Sequence, residues 1–280
     1  MIDQGTPNVD LIGVIGVGVV GAAIASALRM VYDNILLHDI NNDLKHSATY
    51  DELVKCTGIF VCVPSPSNID GSCDSSILES VLEQLHSRNY KGVIISKVTA
   101  TPSIYRRLCS KYDNLVYSPE FLTERNAIRD YRDSRCVIVG GLVSAYMQEA
   151  KRIIACHLPN VNSYYLCTPE EASLVKYTMN SFLATKLVFM NEVEEIAQTT
   201  GNSDYNRIAM MLTADPRFGG THMLVPGQDG KYGYGGACFP KDTLAFQHYA
   251  DEVGGELSVL SAAIEKNTYL RLKKTSVEYL

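Results

Sequence analysis

The stretch Leu11-Ile12-Gly13-Val14-Ile15-Gly16-Val17-Gly18-Val19-Val20-Gly21 decides the fold of this chain. The run 9–15 reads as a parallel strand buried on both faces, and the glycines then open an Ala-rich helix that reaches about Met30. Gly16, Gly18 and Gly21 in that setting form a dinucleotide fingerprint. The first glycine makes a tight turn, the second lets the backbone approach a pyrophosphate, and the third lets helix and strand pack closely. The helix N-terminus offers unpaired N–H groups and a positive dipole end to phosphates. Residues 11–28 are also apolar enough to mimic a membrane span. Their four glycines, and Asp3 and Asp10 in place of a basic leader, argue for strand, turn and helix instead.

A second apolar run, 34–38, ends in Asp39, placed where an acid at a strand end bonds both ribose hydroxyls of a dinucleotide. No arginine follows in Ile40-Asn41-Asn42 to take a 2′-phosphate, which favours NAD over NADP. The alternation continues with strands at 58–63, 92–96, 115–117 and 136–139 and helices at 75–86, 102–111 and 144–155. Strand and helix taking turns at this spacing predict an α/β, Rossmann-like doubly wound parallel sheet. Its ligands belong beyond the strands' carboxyl ends, where the chain places Pro64-Ser65-Pro66, Ser96-Lys97 and Ser118-Pro119-Glu120.

After a strand at 161–167 the pattern turns helical, giving expected domains of 1–167 for dinucleotide binding and 168–280 for an all-helical part. The first long helix spans 169–200, with Thr168 as N-cap and Glu170 and Glu171 in its first turn. Lys176 and Asn180 lie four apart on it and share a face. A helix at 203–213, a glycine-rich loop at 214–236, a helix at 243–253 and a last helix from Glu256 complete the pattern. Between loop and helix stands Gly233-Tyr234-Gly235-Gly236-Ala237-Cys238-Phe239-Pro240-Lys241-Asp242, where glycines lead into a cysteine with a cation close behind. That setting suits a reactive thiol, the competing reading being a buried structural cysteine.

The formal charge of -6 argues against a nucleic-acid surface, which relies on clustered lysine and arginine. The eight cysteines are scattered with no paired spacing for zinc or redox work, so the expectation is reduced thiols in the cytoplasm and no metal.

Taken in order, these motifs resemble the UDP-glucose/GDP-mannose 6-dehydrogenase family. The resemblance rests on Gly16 to Gly21, Val63-Pro64-Ser65-Pro66, Ser118-Pro119-Glu120-Phe121-Leu122, Lys176 with Asn180 and Asn191-Glu192, Asp215-Pro216-Arg217-Phe218-Gly219, and Gly233 to Asp242. It implies NAD-dependent oxidation of a nucleotide sugar's C6 alcohol to the acid, with Cys238 forming a thiohemiacetal and then a thioester. By the same resemblance Lys176, Asn180 and Asp242 surround the reacting oxygen, and Glu120 is the general acid/base. The resemblance further implies that NAD is held by Gly16, Val17, Gly18, Val19, Val20, Gly21, Asp39, Pro64, Ser96, Glu124 and Lys241, and the sugar nucleotide by Phe121, Leu122, Glu124, Lys176, Asn180, Arg217 and Gly235. A homodimer through the 169–200 helix is implied, with Arg217 reaching a neighbouring subunit's substrate. Lys97 stands where the family usually has a threonine, and the chain reaches Leu280 where a third domain usually begins, so a short form without that domain is the expectation. The alternatives are a two-electron dehydrogenase of the 3-hydroxyacid type and a non-catalytic remnant that binds NAD or a completing partner.

Overall fold

Apolar residues on alternate positions of the strands point to opposite faces of one sheet, and each face is covered by its own helices. The structure, a computed structural model, describes residues 10–41 and 47–273. Val9, Asn42 and residues 274–280, on which expectations above fall, lie outside them. By internal contacts the chain divides into unit 1, Met1–Pro66 with Cys73–Lys176, and unit 2, Ser67–Ser72 with Tyr177–Leu280.

Unit 1 runs β1 (Ile12–Ile15), α1 (Val19–Leu28), β2 (Ile35–His38), α2 (Tyr50–Leu53), β3 (Gly58–Val61), α3 (Ser76–Ser87), β4 (Val93–Ser96), α4 (Pro102–Lys111) and β5 (Leu115–Tyr117). A 3-10 turn (Glu124–Asn126), α5 (Ala127–Arg132), β6 (Cys136–Gly140), α6 (Ser144–His157) and β7 (Ser163–Cys167) follow. The sheet order is β2-β1-β3-β4-β5-β6-β7. Pairing is parallel throughout except that β5 meets β6 antiparallel at Tyr117 and Gly140. Strand order reverses between β1 and β3, and this switch point is where an open α/β sheet has its ligand crevice.

One face packs Ile15, Ile59, Val61, Ile94 and Tyr117 against Leu53 of α2, Leu78 and Leu82 of α3, and Tyr105 and Leu108 of α4. The other packs Val14, Phe60, Ile95 and Val116 against Ile24 and Leu28 of α1, Tyr131 of α5, and Ile153 and Ile154 of α6. Helices α2 and α5 are additional to the elements read from sequence, both too short to show a periodicity. Helix α2 nonetheless carries a capping box, Thr49 and Glu52 exchanging side-chain and backbone bonds.

Helix α7 (Pro169–Thr200) begins as expected. Thr168 N–H donates to Glu171 Oε2 at 2.8 Å and Glu171 N–H to Thr168 Oγ1 at 3.2 Å. From Tyr177 onward it is the spine of unit 2, joined by α8 (Tyr205–Leu212), α9 (Phe239–Glu252) and α10 (Ser258–Lys273). Ala184 and Val188 pack with Tyr234, Ala263 and Leu270, while Met190 and Ala197 pack with Tyr205, Met223 and Val225. Helix α9 starts at Phe239, not at Thr243 as the sequence suggests. Pro240 sits in its first turn, where a missing N–H costs nothing.

A buried histidine gives unit 1 a pH dependence. His157 Nδ1 lies 2.8 Å from the Ile153 carbonyl, which accepts only, so Nδ1 carries the proton and Nε2 accepts from Tyr131 OH at 2.9 Å. Burial pushes this imidazole down from 6.5 to about 4. It stays neutral when folded but takes a proton once unfolded. Its contribution is therefore complete above about pH 6.5 and is lost as the pH falls toward 4, amounting to about 3 kcal/mol at most. Urea unfolding between pH 7 and 4 is expected to show a shallower loss of stability in His157→Gln than in the wild type. An identical slope in the two proteins means that the folded imidazole already carries a proton.

Candidate functional site

The glycine turn after β1 is built for a close neighbour. Gly16 has φ +85, and a side chain there would meet the Cys62 backbone carbonyl at 2.8 Å. At Gly21 a Cβ would come within 1.9 Å of the Gly16 carbonyl oxygen. The N-cap of α1, Gly18, provides no side-chain cap, the first turn has no acid, and space over Gly18 is open. The first N–H groups of α1 are thus left to a ligand. Asp39, one residue past β2, accepts Val17 N–H at 2.6 Å on one oxygen and Asn41 N–H at 2.9 Å on the other. Partial burial pushes its carboxyl up, but the Asn41 and Val17 N–H groups and His38 outweigh this and hold it below the usual range. Val19 and Glu124 both line a groove of about 810 Å³ between α1, α5 and the end of α6. Pro64 is exposed just past β3. An open turn, an uncapped helix end and an anchored acid fit a dinucleotide.

Beyond β4 and β5 lies a second group of unit 1. Ser96 is fully buried, its hydroxyl 2.7 Å from Tyr105 OH and its carbonyl bonded by Ser118 N–H. Lys176 is also buried, and its Nζ donates to the Glu120 backbone carbonyl at 2.6 Å and to Glu120 Oε1 at 3.0 Å. The other carboxylate oxygen of Glu120 accepts Leu122 N–H at 2.8 Å. The Phe121 ring lies 5.5 Å from the same ammonium. Structure thus brings Glu120, Phe121, Leu122 and Lys176 together around one buried ion pair. Lys97, next to Ser96, is buried too and donates to Ser118 Oγ at 2.9 Å.

Unit 2 carries the remaining residues, and brings Asn180, Lys241 and Asp242 together. Cys238 is exposed and is the N-cap of α9, its carbonyl accepting Asp242 N–H at 2.8 Å. The Asp242 carboxylate is buried. It accepts from Asn180 Nδ2 at 2.5 Å on one oxygen and from Lys241 Nζ at 2.5 Å on the other. A thiol at a helix N-terminus, with a lysine and an aspartate in the first turn, lies where N–H groups and a positive dipole end favour negative charge. Arg217 is exposed and pairs with Asp215 at 2.5 Å.

Two residues of α10 hold the cysteine's loop without having been singled out for it. Asn267 Oδ1 accepts Tyr234 N–H at 2.6 Å while its Nδ2 donates to the Tyr234 carbonyl at 3.2 Å. Arg271 Nε donates to that carbonyl at 2.8 Å, with its guanidinium directly over Gly235, where a Cβ would be 2.1 Å from Nη2. Asn191 Oδ1 accepts Gly233 N–H at 3.0 Å. Asn267 and Arg271 have the same four-residue spacing that marked Lys176 and Asn180, and that spacing was the available signal. None of the cysteines forms a disulfide. Among the described residues there is no cluster able to hold a metal ion, and no helix is long and apolar enough to cross a membrane.

A doubly wound sheet with this glycine turn, open helix end and strand-end acid defines a dinucleotide-binding protein, here continued by helices that carry an exposed cysteine. The chain belongs to the UDP-glucose/GDP-mannose dehydrogenase family. Residues 33–156 match that family's NAD binding domain and residues 170–269 its central domain. The matched domain supports NAD as the cofactor, in agreement with the fingerprint. The UDP-glucose 6-dehydrogenase of Pseudomonas aeruginosa is 31% identical over 222 residues, covering 75% of this chain and 48% of the relative. The chain spans about half the length of the curated relatives it matches. Among solved structures, a UDP-glucose dehydrogenase from Pyrobaculum islandicum has a similar fold, with a TM-score of 0.81, 23% identity and coverage of 96% of this chain and 70% of that one. A 3-hydroxyisobutyrate dehydrogenase of Mycobacterium tuberculosis also shares the fold, with a TM-score of 0.71, 15% identity and 93% of both chains covered.

Removing the cation of the buried pair strands its carboxylate. Lys176 and Glu120 side chains are 5% and 11% exposed, and breaking such a pair from one side costs about 3–5 kcal/mol. Lys176→Met is expected to lower stability in urea unfolding by that amount. Glu120→Gln, which keeps an oxygen for the ammonium, is expected to cost less.

Proposed function

We propose that this chain serves as a nucleotide-sugar 6-dehydrogenase that oxidises a UDP-hexose, UDP-glucose by default, to the uronic acid in two NAD-dependent steps. The observation that carries this reading is the exposed Cys238 at the N-terminus of α9, followed by the buried Asn180–Asp242 pair and the half-buried Lys241 bonded to it. A structural cysteine needs no such neighbours.

Residues of the glycine turn and Asp39 would hold the dinucleotide, its phosphates on the open N-terminus of α1. When bound, NAD supplies the hydride acceptor for each oxidation. The protein's own groups do the rest. Cys238, as thiolate, adds to the aldehyde carbon and holds it as a thiohemiacetal, so the reactive carbonyl does not leave between oxidations. Oxidation of that adduct gives a thioester, which water cleaves to the acid and a free thiol. Lys176 and Asn180 stabilise the developing oxyanion, with Asp242 fixing Asn180 by its hydrogen bond. Glu120 handles the proton, its carboxylate being fixed by Lys176 and the Leu122 N–H. Phe121, Leu122, Glu124, Gly235 and Arg217 hold the sugar nucleotide, and Ser96, Pro64 and Lys241 complete the cofactor site.

A homodimer through α7 is part of this reading, as are a cytoplasmic location and domains of 1–167 and 168–280. It is supported by an exposed apolar stripe on α7, Met179, Phe182, Phe189 and Ile196, which recurs at helical spacing. A second copy of α7 is the occupant with a matching stripe.

The decisive measurement is stoichiometry. Incubation with NAD and UDP-glucose is expected to yield about two NADH per acid formed, as two hydride transfers require, and Cys238→Ala is expected to form no acid. A second reading is a two-electron oxidation of the 3-hydroxyacid type, since a 3-hydroxyisobutyrate dehydrogenase shares the fold. One NADH per substrate, unaffected by Cys238→Ala, would establish it in place of the first. No turnover with any UDP- or GDP-sugar sinks the leading reading.

A further inference from the structure

A buried ammonium has three N–H donors, and each needs an oxygen. Lys97, directly after β4, is 6% exposed. Among the described residues its Nζ has one hydrogen-bond acceptor, Ser118 Oγ at 2.9 Å, while the Tyr131 ring lies 5.9 Å away on α5. Two donor directions are left without an acceptor.

The groups around it make the imbalance one of charge as well. Glu120, on the loop after β5, is already bound by Lys176 of α7 and by the Leu122 N–H. Cys62, after β3, is pushed up to about 12 by burial and stays an uncharged thiol. Tyr131 keeps its proton and donates a hydrogen bond to His157 of α6, which is pushed down to about 4 and is neutral. Two ammoniums therefore share one carboxylate in a buried place. Burial pushes Lys97 down to about 8, with the Glu120 carboxylate pulling it back and Lys176 adding to the fall. At neutral pH it is still mainly an ammonium, and one short of a counterion.

We propose that Lys97 Nζ, held on Ser118 Oγ at the carboxyl end of the sheet, binds the carboxylate of the acid that the oxidation produces. This rests on the function proposed above. A monoanion balances the single excess charge, and its two oxygens answer the two open donors. A neutral alcohol does neither, so the acid is held in preference to the substrate. The phosphates of the dinucleotide have a separate partner in the N-terminus of α1. Lys97 thereby acts as a product-binding residue and sets how strongly the acid inhibits its own formation. The preference belongs to the protonated amine and fades as the pH rises past about 8.

The test uses the full chain with NADH in place of NAD, so that no oxidation runs. UDP-glucuronate and UDP-glucose are titrated by calorimetry at pH 7 and pH 9.5. In the wild type the acid is expected to bind more tightly at pH 7 and to lose that advantage at pH 9.5. In Lys97→Met the acid is expected to bind about tenfold or more weakly at pH 7, with the pH effect gone and UDP-glucose changed far less. Lys97→Gln gives the same comparison if the methionine variant does not fold. An unchanged ratio of acid to alcohol affinity in the variants overturns the proposal. If neither nucleotide sugar binds the wild type, the substrate reading has failed, and Lys97 is then decided separately. Lysines labelled with carbon-13 at Cε are followed while glucuronate is added, the Lys97 signal being identified by its loss in the variants. A saturable shift of that signal supports carboxylate binding by Lys97, and a static signal rejects it.

Discussion

A charged amine taken out of water must be met by oxygens of the chain, and Lys176 meets that demand with the carbonyl and the carboxylate of Glu120. The pair fixes the loop after β5, because the second carboxylate oxygen is spent on the Leu122 N–H. It also fixes the start of α7. Ser173 Oγ donates to the Ala100 carbonyl at 2.7 Å and Arg106 pairs with Glu170 at 2.6 Å. The first two turns of α7 are therefore part of unit 1, which is why the boundary between the units falls inside a continuous helix, between Lys176 and Tyr177.

Much of the fold was legible because its signals are local. Short apolar runs followed by amphipathic or Ala-rich segments gave the alternation of strands and helices, and helix α4 and strand β5 occur at the expected residues. Thr168 with Glu171 marked the start of α7 through a side-chain bond three residues long. Shorter elements escaped, since one turn of helix shows no period. The start of α9 was displaced because Pro240 reads as a breaker, although in a first turn it is not one.

The site was legible in a different measure. Gly16 and Asp39 stand out in the sequence because a glycine turn after a strand and an acid at the next strand's end are each recognisable in place. What could not be read was pairing across distance. Nothing in the vicinity of Lys97 announces Ser118, 21 residues on, and nothing near Tyr234 announces Asn267, 33 residues on. Both pairings are products of the fold. Asn267 offers an oxygen and an amide N–H to the two backbone groups of Tyr234, as a neighbouring strand would, and so gives a loop without a sheet partner the equivalent of one.

The sheet itself is not uniformly knit. From β2 to β5 every strand is joined to its neighbour by a parallel ladder, and β6 joins β7 in the same way, yet among the described residues β5 and β6 share the single pair Tyr117 and Gly140. Cohesion across that line comes from side chains, with α6 packing Met147, Ala150 and Ile153 into a cluster that includes Ile95, Val116 and Val139. In terms of construction, β6, α6 and β7 form a block bonded to the remainder by apolar packing more than by backbone. Amide hydrogens on the two sides of the line thus belong to two ladders joined by one bridge, and it is chiefly the oily layer beneath them that makes the seven strands behave as one sheet.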